Sequence, residues 1–336
     1  MRFVRLFLRK GRKLSVNAHI FDATQTTDNG KRETLVLGFE LTLSAVIVSV
    51  ADEEPRLLCL KGKSPASLPN GPVSPGGQPT LELALRSRVM EQTGATLGYV
   101  EQLYTFGDRF RDPREVSEGV RPVSVAYLAL VKDEQTLEGS RWLPWYGLFP
   151  WEDWRCGAPD ILAAKILPRF EVWLRESRGD LGANRRERVE LAFGQAGASW
   201  DREKVLERYE LLYEAGFVEE AKQDVVLSVG QMMALDHRRI LATAMARLRG
   251  KITYRPVIFE LLPNRFTLNH LQRVVEALGG VRVHKQNFRR LVDKHGLVER
   301  TGCYESKTGG RPAELFVFRR EVLRERPAPG VGLPRA

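Results

Sequence analysis

Between residues 267 and 298, hydrophobic positions recur at helical spacing in two short segments separated by a pair of glycines. In the first segment, leucine and valine recur every three or four residues after Thr267, whose hydroxyl suits a helix N-cap, and Gly279-Gly280 ends the pattern. The second segment runs from about His284 to His295, with Phe288 in its apolar stripe. The pattern predicts two helices joined by a tight turn.

The opposite face of the second helix is polar and basic, and Gly296 is a natural helix stop. Two apolar strands, Leu297-Val298 and Leu315–Phe318, then flank the polar, glycine-rich stretch Lys307–Pro312. This order predicts a winged helix-turn-helix, in which the second helix enters the major groove and the hairpin contacts the backbone or the minor groove. The alternative is a solvated amphipathic helix beside an ordinary hairpin.

The first half of the chain after residue 35 shows strand-like and helical patterns in alternation. Leu41–Val50 and Arg56–Leu60 predict a β-hairpin, and Thr80–Gln92 has the apolar spacing of a helix. Gly98–Phe106 and Pro122–Val131 predict two further strands. We therefore expect an α+β domain here.

Residues 159–235 have a helical and charged pattern. Ile161–Arg178 and Trp200–Ala215 carry apolar residues at helical spacing, and we expect Gly179–Ala198 between them to be partly loose. Asp236–Arg249 predicts another helix and Val257–Leu262 a short one. This section is interpreted as a connector, with dimerisation as a possible role.

Patterning and composition together divide the chain into five parts. They are a basic, poorly ordered tail (1–35), an acidic α+β domain (36–158), a helical connector (159–235), a DNA-binding domain (236–325) and a flexible tail (326–336). A DNA-contacting arm is the alternative role for residues 1–35. A dense group of aromatic residues at 142–151 could stack on a base, but packing against the sheet is the commoner fate.

The net charge of +10 is unevenly distributed along the chain. Residues 236–336 hold 21 Lys and Arg against 9 Asp and Glu, a net +12, and residues 1–35 hold 8 against 3. The middle, 36–235, holds 23 against 30 and is acidic. This asymmetry is expected when one part of a protein binds a polyanion.

The remaining composition narrows the class of protein. No run of about 18 uncharged apolar residues is present, so we expect no membrane-spanning segment. Cys59, Cys156 and Cys303 are far apart, which favours reduced thiols in a cytoplasmic protein. The spacing of Cys303 to the nearby histidines matches no zinc pattern, so we expect no metal site.

The order strand, hairpin, glycine-rich loop, helix, strand and strand resembles the Nudix fold. The Nudix helix of that family ends in a glycine, aligned here by Gly94-Ala95, and carries carboxylates that hold magnesium. Of these, Glu91 is present, whereas Arg88 and Gln92 occupy the other two positions. Pro79 stands where the upstream glutamate belongs, and the loop is about two residues longer. Because magnesium needs clustered oxygen ligands, we expect no hydrolase activity. An active Nudix pyrophosphatase with an accessory nucleic-acid-binding domain is the alternative.

A Nudix-like domain followed by a winged helix resembles the Nudix-related transcriptional regulators of the NrtR type. The resembling stretches are Glu101–Asp108, Val123–Leu130, Asp236–Leu241, Leu248–Lys251, Phe259–Pro263, Asn287–Arg290 and Gly309–Ala313. Trp151–Trp154 and Glu210–Gly216 look closest to the NadQ-type branch, repressors of NAD biosynthesis genes. The resemblance implies an α+β chain with a Nudix-like α/β/α sandwich and a C-terminal winged helix-turn-helix. It also implies a homodimer on a palindromic operator, released by a nucleotide effector such as ADP-ribose, NAD or ATP, and no other cofactor.

The expected contacts to double-stranded DNA are residues with amide, ammonium, guanidinium or hydroxyl groups, suited to purine edges and phosphates. For the major groove these are Lys285, Gln286, Asn287, Arg289 and Arg290; for phosphates Thr267, Asn269 and Arg273; for the wing Lys307 and Arg311. Bracing of the hairpin by Arg311, and capping or packing by Asn287, are the alternatives. An RNA-binding module is less favoured, because no aromatic stacking surface accompanies the basic helix.

The expected effector contacts lie in and just before the charged loop Gly107–Arg121. They are Tyr104, Asp108, Arg109 and Arg111, since arginine pairs bidentately with phosphate. The alternative is a surface cluster of salt bridges.

Overall fold

The computed structural model describes residues 38–132, 138–177, 179–221, 225, 227–305, 312–325 and 330–331. The predicted tails 1–35 and 326–336 therefore lie almost entirely outside the described residues. Within the described ranges, no helix is both long enough and apolar enough to cross a bilayer.

A mixed β-sheet forms the centre of the N-terminal half. Its strands are β1 (Gly38–Ala51), β2 (Glu54–Leu60), β3 (Asn70–Pro72), β4 (Tyr99–Phe106), β5 (Val120–Leu130) and β6 (Ser140–Pro144). The strand order is β4-β5-β1-β2-β6, with β3 paired to β1. β1 and β5 are parallel and the other pairs are antiparallel. The predicted strands are confirmed.

The alternation of side chains along β1 separates two hydrophobic layers. Leu43, Ala45 and Ile47 pack on helix α1 (Leu81–Thr93), whereas Val46 and Val48 face the larger core on the other side. α1 begins where predicted, because the Thr80 hydroxyl accepts a hydrogen bond from Leu83 N at 3.2 Å. It ends at Gly94, which has a φ of +70°.

Helices cover the region that we interpreted as a connector. A π-helical turn (Leu162–Ile166) leads into α4 (Leu167–Glu176), followed by α5 (Gly179–Phe193) and α6 (Val205–Glu214). The expectation of a partly loose segment is wrong for residues 179–193. The apolar residues of α5 are concentrated near its end, where Phe193 is buried with its ring 5.2 Å from that of Phe170.

The aromatic cluster is part of the core. Helix α3 (Trp145–Leu148) and a 3-10 turn (Pro150–Glu152) hold Trp145 and Trp151, both with no exposed surface. Neither ring is therefore available for stacking on a ligand. Two short helices complete this description, α2 (Arg114–Ser117) in the charged loop and α10 (Val322–Glu325) near the C-terminus.

The C-terminal region has the predicted order of elements. Its elements are α7 (His237–Tyr254), a 3-10 turn (Val257–Leu261), β7 (Phe266–Thr267), α8 (Leu268–Gly279), α9 (Lys285–His295), β8 (Val298–Glu305) and β9 (Ala313–Phe318). The strands form a small antiparallel sheet in the order β7-β9-β8. α7 extends five residues beyond the predicted end, and the helix, turn, helix and hairpin of a winged helix-turn-helix are confirmed.

The two halves share one hydrophobic core. The buried cluster runs from Val46 in the sheet to Phe288 in α9. α8 packs on β1 and β2, and α7 packs on β1 and β4. The exact residues at which the domains begin and end stay a prediction. The sheet and the helices that pack on it, α7 and α8, are in direct contact.

Candidate DNA-binding surface and effector region

Helix α9 presents a basic face to solvent. Phe288 and Val292 are one turn apart and fully buried, which fixes the rotation of the helix. Five other side chains of the helix are exposed: Lys285, Gln286, Asn287, Arg289 and Arg290. The five residues expected to contact the major groove are therefore together and accessible.

Two of these residues contact each other along the helix. Arg290 Nη2 donates to Asn287 Oδ1 at 2.5 Å. The contact orients the Asn287 amide so that its NH₂ group points away from Arg290. Such an amide has donors left for a base edge.

The start of α8 contains the three residues expected to bind phosphate. Thr267 Oγ1 accepts from His270 N at 3.1 Å and caps the helix, and Asn269 is exposed. Arg273 instead points to the body of the protein. Its Nε lies 3.3 Å from Glu53 Oε1, in the turn between β1 and β2, and its Nη1 lies 3.6 Å from Glu276 Oε2. The side chain stays 37% exposed beside these carboxylates, so its contact with phosphate remains a prediction.

The wing residues Lys307 and Arg311 lie outside the described residues. The strands on either side, β8 and β9, pair from Val298↔Phe318 to Glu305↔Ala313. The described part of the hairpin thus runs to the base of the predicted wing.

In the effector region, three of the four expected residues are exposed. Tyr104 is 63% exposed, and Asp108 and Arg109 lie on the surface at the end of β4. Arg109 Nε donates to Glu115 Oε1 at 3.1 Å, and Phe110 N donates to Glu115 Oε2 at 2.7 Å. Burial acts to raise the pKa of the Glu115 carboxyl, but these hydrogen bonds outweigh burial and lower it. The carboxylate therefore stays ionised and holds the loop.

Phe110 is held in a strained conformation by this carboxylate. It has a φ of +62°, unusual for a bulky residue, and its side chain is 62% exposed. The Arg109 guanidinium lies 4.8 Å from the centre of its ring. An exposed ring beside a cation suits a planar, anionic ligand.

A second exposed aromatic residue lies beside the same loop and was not predicted. Phe39 is 65% exposed, with Arg121 over its ring at 5.8 Å. Arg121 Nη2 in turn donates to Gly107 O at 2.6 Å, which ties this pair to the loop. No pattern in the sequence distinguishes Phe39 from the buried residues of β1.

Arg111, the fourth expected residue, is buried. Its Nη2 and Nε donate to the two carboxylate oxygens of Asp236 at 2.5 and 2.8 Å, and its side chain is 4% exposed. In this arrangement the guanidinium is satisfied by the protein itself. Sequence could not reveal this, because the partners are 125 residues apart.

The two substituted positions of the Nudix-like helix α1 hold β3 in place. Gln92 Nε2 donates to Asn70 O at 2.7 Å, and Asn70 N donates to Gln92 Oε1 at 3.1 Å. Arg88 Nη2 donates to Pro72 O at 2.9 Å. Across the described ranges, no group of three or more His, Cys, Asp or Glu residues is placed to hold a metal ion.

A fully buried cluster of charges joins the sheet to the helix pair. Glu152 accepts from Arg208 Nε at 2.6 Å and from Arg249 Nη1 at 2.5 Å, and all three side chains have no exposed surface. Burial acts to raise the pKa of Glu152, but the two arginines lower it, so the carboxylate is ionised. An acidic residue between two tryptophans was the signal that could have revealed it.

The end of α8 is bound to this cluster through its carbonyl oxygens. Tyr146 Oη donates to Ala277 O at 2.6 Å, and Arg249 Nε donates to Leu278 O at 3.0 Å. Trp154 N donates to Gly280 O at 2.7 Å. Helix ends leave such carbonyls without helical partners, and here the rest of the protein supplies the donors. The turn of the helix-turn-helix is therefore fixed to the body of the protein.

A family model described as the NrtR DNA-binding winged helix domain matches residues 258–318. These residues contain α8, α9 and the strands around the wing. The C-terminal region is an NrtR-type winged helix domain.

A curated relative shares this region. Over 87 residues the chain is 40% identical to the ADPR responsive transcriptional repressor NtrR of Acinetobacter baylyi. The match covers 26% of this chain and 34% of that protein, so the chain spans about a third of the relative's length.

Two solved structures have a similar fold over most of the chain, including the winged helix. Shewanella oneidensis NrtR in complex with a 27mer DNA is 21% identical, with a TM-score of 0.51 over 84% of this chain and 95% of that chain. The same protein without DNA is 22% identical, with a TM-score of 0.50 over the same shares. The fold is α+β, with a Nudix-like sandwich ahead of the winged helix.

Proposed function

We propose that this chain is a transcriptional repressor that binds a palindromic operator in NAD biosynthesis genes as a homodimer. A nucleotide effector at the Nudix-like domain releases it from the DNA. The effector is ADP-ribose, with NAD and ATP as the other candidates.

The observation that carries the proposal is the exposed basic face of α9. Guanidinium and amide groups recognise guanine and adenine edges in the major groove. Arg289, Arg290 and Asn287 supply these groups from the exposed surface of a helix that is anchored by the buried Phe288 and Val292. Asn269 at the start of α8 would contact phosphate, and Thr267 would orient that end through its cap.

The curated relative supports the choice of ADP-ribose. Its name describes a repressor that responds to ADPR, and it shares about a quarter of this chain. The loop after β4 has the chemistry that such a ligand needs. Phe110 and Tyr104 offer exposed rings for an adenine, and Arg109 and Arg121 offer positive charge for phosphates.

We infer that the Nudix-like domain binds its ligand without hydrolysing it. Arg88 and Gln92 stand where the resemblance requires carboxylates, and both are engaged with the backbone of β3. An arginine among metal ligands would also repel magnesium. Arg88 and Gln92 can therefore hold β3 in place, but they do not supply the carboxylate ligands that a magnesium site needs.

The proposal is tested by removing the two arginines of α9. Arg289→Ala combined with Arg290→Ala should weaken binding to the DNA upstream of the chain's own gene by at least about thirty-fold, since each base contact contributes roughly 1–3 kcal/mol. A gel shift with purified protein measures this. Because both side chains are exposed, the unfolding transition should not change.

A matched control removes the same charge elsewhere. Arg175 and Arg186 are exposed on α4 and α5, and their joint replacement by Ala should leave DNA affinity unchanged apart from a small long-range electrostatic effect. If the α9 variant kept full affinity, or if both double variants lost it equally, the assignment of α9 to the major groove would be wrong.

A further inference from the structure

Asp236 stands at the start of α7 but does not cap it. Aspartate is among the preferred N-cap residues, and its charge is favourable near a helix N-terminus. Its carboxylate nevertheless makes no capping hydrogen bond, and both of its oxygens accept from Arg111 instead.

The backbone conformation of Asp236 also differs from that of residues that do cap a helix. The capping threonines Thr80 and Thr267 have extended backbones with ψ values of 155° and 154°. Asp236 has a ψ of 23°. To cap α7, Asp236 would therefore have to leave Arg111 and turn its backbone to the extended form.

We propose that Asp236 has two alternative partners, Arg111 and the N-terminus of α7, and that a phosphate-bearing ligand at the 107–121 loop selects the second. The inference rests on the proposed function, since it names how the same site is regulated. A phosphate takes Arg111 bidentately, as the Asp236 carboxylate now does. Asp236 is then free to cap α7.

This exchange of partners lowers the free-energy cost of separating Asp236 from Arg111. A ligand shifts an equilibrium only by the difference between its affinities for the two states. If Asp236 were left buried and unpaired, that cost would oppose the ligand. In the first turn of α7, His237 N donates to Ala234 O and Ile240 N to Asp236 O, so the N–H groups of Arg238 and Arg239 offer the carboxylate a new partner instead. Both states thus satisfy the same carboxylate.

α7 connects this event to the DNA-binding helices. Arg249 lies 13 residues after Asp236 on the same continuous helix, roughly 20 Å along its axis. Arg249 contacts both Glu152 and the Leu278 carbonyl at the end of α8. A change in the position of α7 is therefore passed to α8 through buried contacts.

Two variants of the pair should change ligand affinity in opposite directions. Asp236→Asn can still cap α7 but cannot compete for Arg111 as an anion, so ADP-ribose should bind at least about five-fold more tightly. Arg111→Met removes the phosphate partner, so ADP-ribose should bind at least about five-fold more weakly. Both should bind the DNA upstream of the gene more weakly than the unsubstituted chain, without any ligand. Calorimetry and gel shifts on the full chain measure the two affinities.

The control is another ion pair, between β4 and α7. Glu101 pairs with Lys251 far from the loop, so Glu101→Gln should leave ADP-ribose affinity unchanged. A merely structural role of Asp236 would weaken both affinities in Asp236→Asn, and that result would overturn the inference. Unchanged ADP-ribose affinity in this variant would overturn it too.

A measurement on the unsubstituted chain tests the same inference even if the variants fail to fold. ADP-ribose should slow hydrogen exchange at the N–H groups of Arg238 and Arg239, which an N-cap side chain can bond, whereas adenosine, which lacks phosphate, should not. Faster or unchanged exchange with ADP-ribose overturns the inference. If the chain binds DNA and ADP-ribose releases it while these results fail, the proposed function stands; if it binds no DNA, the proposed function fails with the inference.

Discussion

His237 shows at the scale of one residue how burial fixes a protonation state. The ring is fully buried, and its Nδ1 accepts from Leu68 N at 3.2 Å. Burial lowers the pKa of His237 to about 4, with the nearby Arg111 acting in the same direction and Asp236 against it. The folded protein therefore holds this imidazole neutral at any pH above about 4.

This depressed pKa predicts a loss of stability in mild acid. The unfolded chain takes up the proton near pH 6.5 and the folded chain only near 4, so the stability present above pH 6.5 falls between these values. At pH 5 the loss from this residue is about 2 kcal/mol. Urea unfolding at pH 7.5 and pH 5 measures it. His237→Asn, which keeps an acceptor near Nδ1, should show a smaller loss; an equal loss in both proteins would contradict the assignment.

Individual side chains differ in how far sequence could place them. The exposed position of Arg289 and Arg290 follows from helical spacing around Phe288, which is local information. The partners of Arg111 and Arg273 lie far away along the chain, so their ion pairs depend on the fold as a whole. Local sequence patterns predict which face of a helix is exposed to solvent. They do not predict which arginine forms an ion pair with a carboxylate far away in the sequence.

At the scale of elements, α8 is defined at both ends by specific groups. Thr267 caps its start, and Gly280 ends it with a φ of +68°. A Cβ on Gly280 would lie 2.4 Å from Glu152 O and 2.9 Å from both Arg249 Nη2 and Tyr146 Oη. Only glycine satisfies the backbone conformation and this close approach together.

Gly280→Ala should therefore destabilise the protein by about 2–4 kcal/mol, from overpacking and left-handed strain combined. Gly296→Ala is the matched control at the end of α9. Its φ is +54°, but a Cβ there would meet only Arg319 Nη2 at 3.7 Å, so strain alone should cost about 1–2 kcal/mol. Thermal unfolding compares the two; equal losses would show that the contact with Glu152 and Arg249 is unimportant.

Elements with clear caps were the easiest to predict. α1, α8 and α9 begin and end within a residue or two of the expected positions. Threonine caps the start of α1 and α8, and glycine ends all three helices. α5 was missed because its exposed turns are charged and include two glycines, while its burial is concentrated around Phe193. Tertiary packing, which a local pattern does not contain, stabilises that helix.

At the scale of the whole molecule, buried charges join parts that the sequence separates. Glu152 follows the sheet, Arg208 lies in α6 and Arg249 in α7. Breaking such a cluster by removing one partner leaves a buried charge uncompensated. The arrangement therefore fixes the orientation of the helix pair on the sheet.

The contact between the halves was beyond sequence reasoning. The uneven charge distribution separates a basic part of the chain from an acidic part, but it carries no information on how the two parts pack together. α8 packs directly on β1 and β2, so the winged helix is not an independent body on a linker. This packing gives a ligand at the sheet a short physical route to α9.

The most direct test of the account is the binding of fluorescent operator duplex to the full chain at 50 and 200 mM salt, with and without ADP-ribose. We predict that the Kd rises with salt, by about a thousand-fold or more if six or more phosphates are contacted. Saturating ADP-ribose should raise the Kd further at either salt. A Kd that is independent of salt, or unaffected by ADP-ribose, would contradict a basic helix that binds DNA under the control of the Nudix-like domain.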